Sequence, residues 1–430
     1  MKPKNTLTIH LCWAVACGAA VFVGYLGRSP KAVSKTADAH LTLKVTSSPE
    51  LETADFEESD RSKKRNEKSA VREIFDLKKM GSADWKALAQ QSTRDPNPIA
   101  RRLAFSQLLE ALTAENAVAI REQLVAAGAE GDEWRDFNFS WGALAGKEAF
   151  DFADKSEERD LDAVMAGWAS ASPAAAIALL ENLPEGMKGN RDRLAESVVT
   201  GIAGADRELA TDLVLRLAGP KGDEQSEKLI NIVAREALRG GDVKAAASWS
   251  DSLPDGALKG AAMQQIADDF VKANPEEAAA WAARYADQDF AARAVEEVGG
   301  EWAKRNPVAA VTWLQELPEG NGQAAGLSSA FGDWEDRDPS AAAEHLYSMT
   351  NSPQRDAAIS GFARGYAWQD PLTAIAWALD IGDPNLRNES ITRAGQVFYR
   401  RDPEGAQAWL ESSAIQPEIK EAVLNPPRRR

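Results

Sequence analysis

Side chains that ligate soft metals or form covalent cross-links are nearly missing from this chain. Of its 430 residues, two are cysteine and three are histidine. Cys12 and Cys17 lie in an apolar run near the N-terminus, and His10, His40 and His345 are far apart in the sequence. The body of the chain therefore cannot hold a disulfide, a cysteine-based zinc site, a thiol nucleophile or a multi-histidine metal site.

Sequence motifs of common catalytic and nucleotide-binding sites are also missing. Gly326-Leu327-Ser328 begins like a nucleophile elbow, but Ala330 stands where that motif needs glycine. The segment 219–223 is glycine-rich, yet it lacks the Gly-Lys-Ser/Thr end of a phosphate-binding loop, and His-Glu-x-x-His does not occur. We therefore predict no catalytic, metal-binding or cofactor-binding residue, no cofactor and no enzymatic activity; the residues that bind a partner are left unassigned.

Composition narrows the fold class and the partners. Long β-branched runs are scarce and alanine is abundant, which favours helix over sheet. Hydrophobic residues make up 44% and charged residues 27%, as expected of a folded protein. The net charge is −16, whereas a general nucleic-acid binder needs Lys and Arg to displace counterions. We predict an all-α protein without a nucleic-acid partner, whose acidic surface favours solubility.

An uncharged run of membrane-spanning length lies near the N-terminus. Residues 1–6 form a short basic leader, and residues 7–27 contain no Asp, Glu, Lys or Arg. Since about 20 apolar residues suffice for a helix to cross a bilayer, we predict an uncleaved transmembrane signal anchor over 7–27. The membrane is thus one predicted partner.

A cleaved signal peptide is the alternative interpretation of this run. Ala14-Val15-Ala16 offers small residues for cleavage, but apolar residues continue past it, and Ala37-Asp38-Ala39 lies too far beyond the core. Basic residues flank the run almost equally on both sides, so their count does not fix the orientation. The cysteine-free body and the short leader favour export. We expect a single-pass inner-membrane protein with its body in the periplasm.

Three further regions follow the predicted anchor. Residues 28–70 are polar, with dense charge of both signs and few aromatics, which predicts a flexible linker. Helical apolar spacing begins at Val71, and we predict a helical-repeat domain over 71–420. Residues 421–430 end in Arg428-Arg429-Arg430, which predicts a basic, disordered tail.

The domain is built from an internal repeat that is marked by proline. Pro275, Pro307, Pro339, Pro371 and Pro403 stand 32 residues apart. The same mark continues upstream at Val243, Arg207, Pro173, Gly146 and Ala114, which gives ten marks. A residue that caps helices precedes most of them: Thr113, Ser172, Asp206, Asp242, Asn274, Asn306, Asp338, Asp370 and Asp402. Each mark is thus a predicted helix start, where proline costs no hydrogen bond.

Three more positions recur around each mark. Position +3 is always alanine: Ala117, Ala149, Ala176, Ala210, Ala246, Ala278, Ala310, Ala342, Ala374 and Ala406. Position +6 is bulky: Ile120, Phe152, Leu179, Leu213, Trp249, Trp281, Trp313, His345, Trp377 and Trp409. Position −5 is large and apolar: Leu109, Trp141, Trp168, Ile202, Leu238, Phe270, Trp302, Trp334, Tyr366 and Phe398. Positions +3 and +6 share one helical face, so we expect a close helix contact beside an aromatic one.

Each repeat therefore predicts a pair of helices. The first helix ends near Leu-Pro-x-Gly, as at 183–186, 253–256 and 317–320, because proline cannot continue a helix and glycine accepts the turn. A second helix follows and ends near the next mark. One such hairpin cannot bury its apolar face alone, so we expect neighbours to stack. The predicted fold is an α-solenoid of about ten helix-turn-helix repeats, preceded by one transmembrane helix.

This unit resembles the helical hairpins of tetratricopeptide and HEAT-type solenoids. Its Asp/Asn-Pro start with a following Trp is similar to a repeat of uncharacterised bacterial membrane-anchored proteins. The resemblance covers about Leu109 to Trp409. The chain departs from the tetratricopeptide pattern, which places its proline near the end of the second helix. The resemblance implies an architecture and a general scaffolding role, and no functional residues.

Three functions remain open at this point. The first is a membrane-tethered, non-enzymatic scaffold that binds a protein or peptide on the solenoid surface, since the repeats occupy nearly the whole body. The second is a cell-wall or polysaccharide-binding module, which needs solvent-facing aromatic side chains in a row. The third is an enzyme, which needs converging polar groups. We expect the first.

Overall fold

The structure of the chain is a computed structural model that describes residues 81–156, 160–219 and 222–425. These residues contain 22 α-helices, two short 3₁₀-helices and no strand, which confirms the all-α prediction. The predicted leader, signal anchor and linker, together with residues 71–80, lie outside the described residues. Within the described ranges, no helix combines the length and the apolarity that a membrane crossing requires.

The helices follow one another with short turns between them. The first eleven are α1 Ser82–Arg94, α2 Pro98–Glu110, α3 Ala117–Ala127, α4 Gly131–Ala145, α5 Lys147–Ala153, α6 Leu161–Ala171, α7 Pro173–Glu181, α8 Arg191–Ala203, α9 Arg207–Ala218, α10 Glu224–Arg239 and α11 Val243–Asp251. The others are α12 Ala257–Ala273, α13 Pro275–Ala283, α14 Ala292–Ala303, α15 Pro307–Glu316, α16 Asn321–Arg337, α17 Pro339–Ser348, α18 Pro353–Tyr366, α19 Pro371–Leu379, α20 Pro384–Arg401, α21 Pro403–Ser412 and α22 Pro417–Leu424. The 3₁₀-helices are Glu185–Asn190 and Asp289–Ala291.

Eight of the ten predicted starts coincide with the first residue of a helix, from α7 to α21 in the odd-numbered series. Seven of the residues before these starts accept a hydrogen bond from a backbone N–H of the first turn: Asp206, Asp242, Asn274, Asn306, Asp338, Asp370 and Asp402. Ser172 makes no such bond. The N-cap carboxylate or amide and the proline therefore define the start locally.

The two most degenerate starts were placed wrongly. The helix predicted from Ala114 begins at Ala117, because Asn116 precedes it while the Thr113 hydroxyl accepts a hydrogen bond from Asn116 N. The helix predicted from Gly146 begins at Lys147, since Gly146 has a positive φ of 54° that a helical residue does not adopt. The C-terminal boundary also differs. Residues 421–424 belong to α22, which buries Val423, while 426–430 lie outside the described residues.

From α4 to α20, each even-numbered helix is longer than its odd-numbered neighbours, whereas α21 and α22 are both short. Each of these long helices packs against the next long helix, and α22 packs against α20. Each short helix from α5 to α19 packs against the two long helices that flank it in sequence, and short helices do not pack on one another to a comparable extent. Contacts are therefore made between neighbours in the sequence, hairpin by hairpin.

Small residues bring the helices together. The alanine at +3 is fully buried in all ten copies. Glycines in the long helices allow still closer contact: a Cβ on Gly142 would lie 2.0 Å from the carbonyl oxygen of Val164, and one on Gly361 would lie 1.9 Å from that of Ser328. No larger side chain fits at such distances, so glycine sets the spacing of the long helices there.

Aromatic side chains fill the space between the long helix of one repeat and the short helix of the next. Position −5, at the end of a long helix, meets position +6 of the next short helix. Ring centroids lie 5.1–6.2 Å apart in Trp141–Phe152, Phe270–Trp281, Trp302–Trp313, Trp334–His345 and Phe398–Trp409. These separations are typical of favourable aromatic pairs. In these five copies, the two positions therefore pack one repeat against the next.

Candidate interaction surface

Four carboxylates from three successive long helices lie together at a partly exposed surface. Asp268 comes from α12, Glu297 and Glu301 from α14, and Asp333 from α16, and all four are half-buried. Asp268, Glu297 and Glu301 each bring one oxygen within 4.8 Å of the others. Glu297, Glu301 and Asp333 line a shallow groove of about 190 Å³. We call these four residues the acidic band.

The spacing of α14 and α16 explains why these side chains meet. Gly300 faces α16, and a Cβ there would lie 2.6 Å from the Ser329 hydroxyl oxygen and 3.5 Å from a carboxylate oxygen of Asp333. Without a side chain at 300, the two helices approach until Asp333 stands beside the α14 carboxylates. Gly300 therefore lines the groove together with the carboxylates of α14 and α16.

The band has fewer cations than carboxylates. Lys272 pairs with Asp268 and Lys304 pairs with Glu301, each within one helix. Burial raises the pKa of Glu297, and repulsion by Asp268 and Glu301 raises it further. Burial also raises the pKa of Asp333, with Lys304 and Arg364 opposing and Glu301 adding to the rise. Since the four carboxylates still outnumber Lys272, Lys304 and Arg364, a positively charged group is favoured at this surface.

Sequence reasoning missed the band, although a signal was present. Its members lie at position −7 of the Pro275 repeat, −10 and −6 of the Pro307 repeat, and −6 of the Pro339 repeat. Three consecutive repeats thus place a carboxylate near the same point of the long helix. Which positions face solvent depends on how closely the long helices approach, and glycine decides that.

The aromatic positions do not form an exposed row. Trp281 and Trp377 are buried, and Trp249, Trp313 and Trp409 are half-buried against their partners. The aromatic side chains with large exposed fractions, Tyr347 at 75% and Trp368 at 58%, belong to other positions of the repeat. The +6 side chains therefore serve packing first.

A second, larger cavity of about 570 Å³ lies at the first two hairpins, beside Arg121, Phe152 and Lys155. The Arg121 guanidinium bonds the buried Asp160 carboxylate at 2.5 Å and lies over the rings of Trp134 and Phe152. Trp134 Nε1 donates to the same carboxylate at 2.7 Å. The charge of Arg121 is thus neutralised within the protein, and this cluster joins hairpins.

Comparisons with known proteins identify no protein similar to this chain. No protein-family model matches the chain, and neither a curated protein nor a solved structure is found to be similar. The acidic band must therefore be interpreted from its own charges and packing.

Proposed function

We propose that helices α3 to α22 form an α-solenoid. The sequential packing of long helices supports this, because each hairpin has its contacts with the hairpins next to it in sequence. The alanine at +3 supports it too, because this residue is buried in all ten copies and the same close contact is thus repeated in every unit. Long helices that approach at glycine, while short helices remain apart, favour a curved stack with the long helices inside.

We further propose that this solenoid is a membrane-tethered, non-enzymatic scaffold whose long-helix face binds a protein segment rich in Lys and Arg. The observation that carries the partner class is the acidic band, where Asp268, Glu297, Glu301 and Asp333 outnumber Lys272 and Lys304. An extended basic peptide supplies the missing charge along successive repeats.

The N-terminal sequence supports the proposed tether and location. The uncharged run 7–27 is the proposed membrane anchor and residues 28–70 are the proposed spacer, while the cysteine-free body and the short leader support a solenoid in the periplasm. This proposed function needs no catalytic residues, because a scaffold acts by binding its partners.

Binding of a lysine-arginine peptide to the full chain in detergent tests the proposal. We expect saturable binding that weakens with salt and is lost when Glu297→Gln, Glu301→Gln and Asp333→Asn are combined. The matched control changes three exposed carboxylates elsewhere, Glu404→Gln, Glu411→Gln and Glu418→Gln, with the same change in net charge. Equal binding by both triple variants contradicts a role for the band.

A photo-crosslinker tests the same surface without a chosen peptide. Placed at the exposed Glu296 beside the band, it should reach a bound basic peptide, whereas at the exposed Glu319 in a Leu-Pro-Glu-Gly turn it should not. Crosslinking of equal yield at both positions contradicts binding on the long-helix face.

A further inference from the structure

Glu335 occupies a core position of the repeat. It lies at −4 from Pro339 in α16, and it is 1% exposed. In five of the nine other repeats the same position is a buried alanine or valine: Ala169, Ala203, Val271, Ala303 and Ala367. The two charged residues at this position in other repeats, Glu110 and Arg239, are exposed. A carboxyl group there costs free energy of burial that alanine avoids. Since alanine or valine suffices to pack this position in those repeats, packing alone does not explain the carboxyl group of Glu335.

Two neighbouring departures accommodate this carboxyl group. A Cβ on Gly365 of α18 would lie 2.1 Å from Glu335 Oε2, so a side chain at 365 and the carboxyl cannot coexist. Gln369 donates from Nε2 to Glu335 Oε1 at 2.7 Å. The position of Gln369 is arginine in three other repeats, where Arg305, Arg337 and Arg401 bond a backbone carbonyl of the preceding repeat instead.

The charged groups around Glu335 are engaged elsewhere. Arg364 on α18 donates to the Ser328 carbonyl at 3.4 Å, and Arg401 on α20 donates to the carbonyls of Trp368 and Gln369. On α17, the ring of His345 packs on Trp334, and Asp370 caps α19.

Asp336, beside Glu335 on α16, has the same sign as an ionised Glu335. Within the part of the chain that the structure describes, Glu335 forms no ion pair. Its single partner at the junction is therefore a neutral amide, so ionisation leaves a buried charge without a counter-ion.

We propose that Glu335 makes the junction between α16 and α18 a pH-sensitive joint, closed when the carboxyl group is protonated and loosened when it is ionised. Either form of the carboxyl accepts the hydrogen bond from Gln369 Nε2 and fits the space that Gly365 leaves, and the neutral form brings no charge into the junction. An ionised one carries an unpaired charge between two long helices that are otherwise tightly packed. Loosening at this point changes how helices α18 to α22 follow α16.

The direction of the effect follows from linkage. Burial, with a smaller contribution from Asp336, raises the pKa of Glu335 to about 7 from 4.5. The closed junction therefore prefers the protonated form. Its stability is full below pH 4.5 and falls as the pH rises through about 7. With these two pKa values, opening becomes about ten-fold more favourable between about pH 6 and about pH 8.

Hydrogen exchange of the full chain in detergent measures this opening. We expect backbone amides of α16 and α18 to lose about ten-fold in protection between about pH 6 and about pH 8, after correction for intrinsic exchange. Amides of α8, far along the sequence, should show no such loss. In E335Q most of this loss should disappear, because the amide mimics the neutral form while other groups still titrate.

Two further variants keep the test independent of misfolding. Glu335→Ala introduces the residue that four other repeats have at this position, and it should also remove most of the pH dependence. Glu297→Gln removes a carboxylate with raised pKa from the acidic band, and this variant should retain the ten-fold loss of protection. Unchanged protection of wild type across this range, or the same ten-fold loss in E335Q, overturns the proposal.

Discussion

The indole rings of Trp302 and Trp313 lie with their centroids 6.1 Å apart, one at the end of α14 and the other in the next short helix. Trp302 is 8% exposed and packs within the main hydrophobic core. The pair joins the end of one repeat to the first helix of the next, as four other pairs do along the chain. We expect Trp302→Ala to cost about 3–5 kcal/mol of unfolding free energy, measured by urea denaturation. A cost below about 1 kcal/mol contradicts a core role.

The indole N–H groups at +6 are satisfied unequally. Trp281 Nε1 donates to the Asp251 carboxylate at 3.0 Å, whereas Trp313 Nε1 is buried without an acceptor. Both Trp→Phe changes shrink the ring, but only Trp281→Phe removes a hydrogen bond. We expect Trp281→Phe to cost about 1–2 kcal/mol more than Trp313→Phe in urea denaturation. Equal costs contradict the assignment of the Asp251 acceptor.

Helix capping provides another matched pair. Asp338 Oδ1 accepts the backbone N–H of Ala341 at 3.0 Å, whereas Ser172 makes no side-chain capping bond. Asp338→Ala should lower the unfolding free energy by about 1 kcal/mol, while Ser172→Ala should change it by less than about 0.5 kcal/mol. Thermal denaturation followed by circular dichroism measures both; a larger loss in the serine variant is inconsistent with the capping geometry.

Glycine spacing of the long helices is tested by adding one methyl group. Gly361→Ala places a Cβ 1.9 Å from the Ser328 carbonyl oxygen, so α16 and α18 must separate. We expect a loss of about 1–3 kcal/mol in urea denaturation. Gly189→Ala is the control, since nothing lies within 4 Å of its Cβ. Similar stability of the two variants shows that close approach is not required.

The pH dependence of stability has a sign set by Glu335. Because its folded pKa of about 7 exceeds 4.5, the free energy of unfolding falls as the pH rises between these values. The full effect is about 3 kcal/mol. Urea denaturation between about pH 5 and about pH 8 should show the fall in wild type and a smaller one in Glu335→Gln, since the other groups still titrate. A fall of the same size in both variants assigns the dependence to other carboxylates.

Local chemistry explains what the sequence could predict. An Asp or Asn before Pro defines a helix start with side chains only one to three residues away, so the starts at Pro275 to Pro403 are confirmed. The starts at Arg207 and Val243 have the Asp without the proline and are also confirmed, whereas the starts at Ala114 and Gly146 have neither, and each was wrong. The alanine at +3 could also be interpreted from the sequence. A small residue at the same position of every copy indicates a close helix contact, and all ten alanines are buried.

Features that depend on contacts between repeats could not be predicted in the same way. The acidic band requires knowing that Gly300 lets Asp333 approach the α14 carboxylates. The buried state of Glu335 requires Gly365 and Gln369 from the following hairpin. Comparison of equivalent positions does indicate that Glu335 is unusual, since a buried alanine or valine stands there in five other repeats.

The central claim is that each hairpin is a modular unit that packs on its neighbours, and removal of one whole repeat tests it most directly. Deleting Pro307 to Asp338, which are 32 residues, joins Asn306 to Pro339 and keeps a capped helix start. Deleting only Asn321 to Asp338 removes a long helix and leaves its short partner. We expect the whole-repeat deletion to retain the mean helicity and a cooperative unfolding transition, and the partial deletion to lose both. Equal damage by the two deletions contradicts the account.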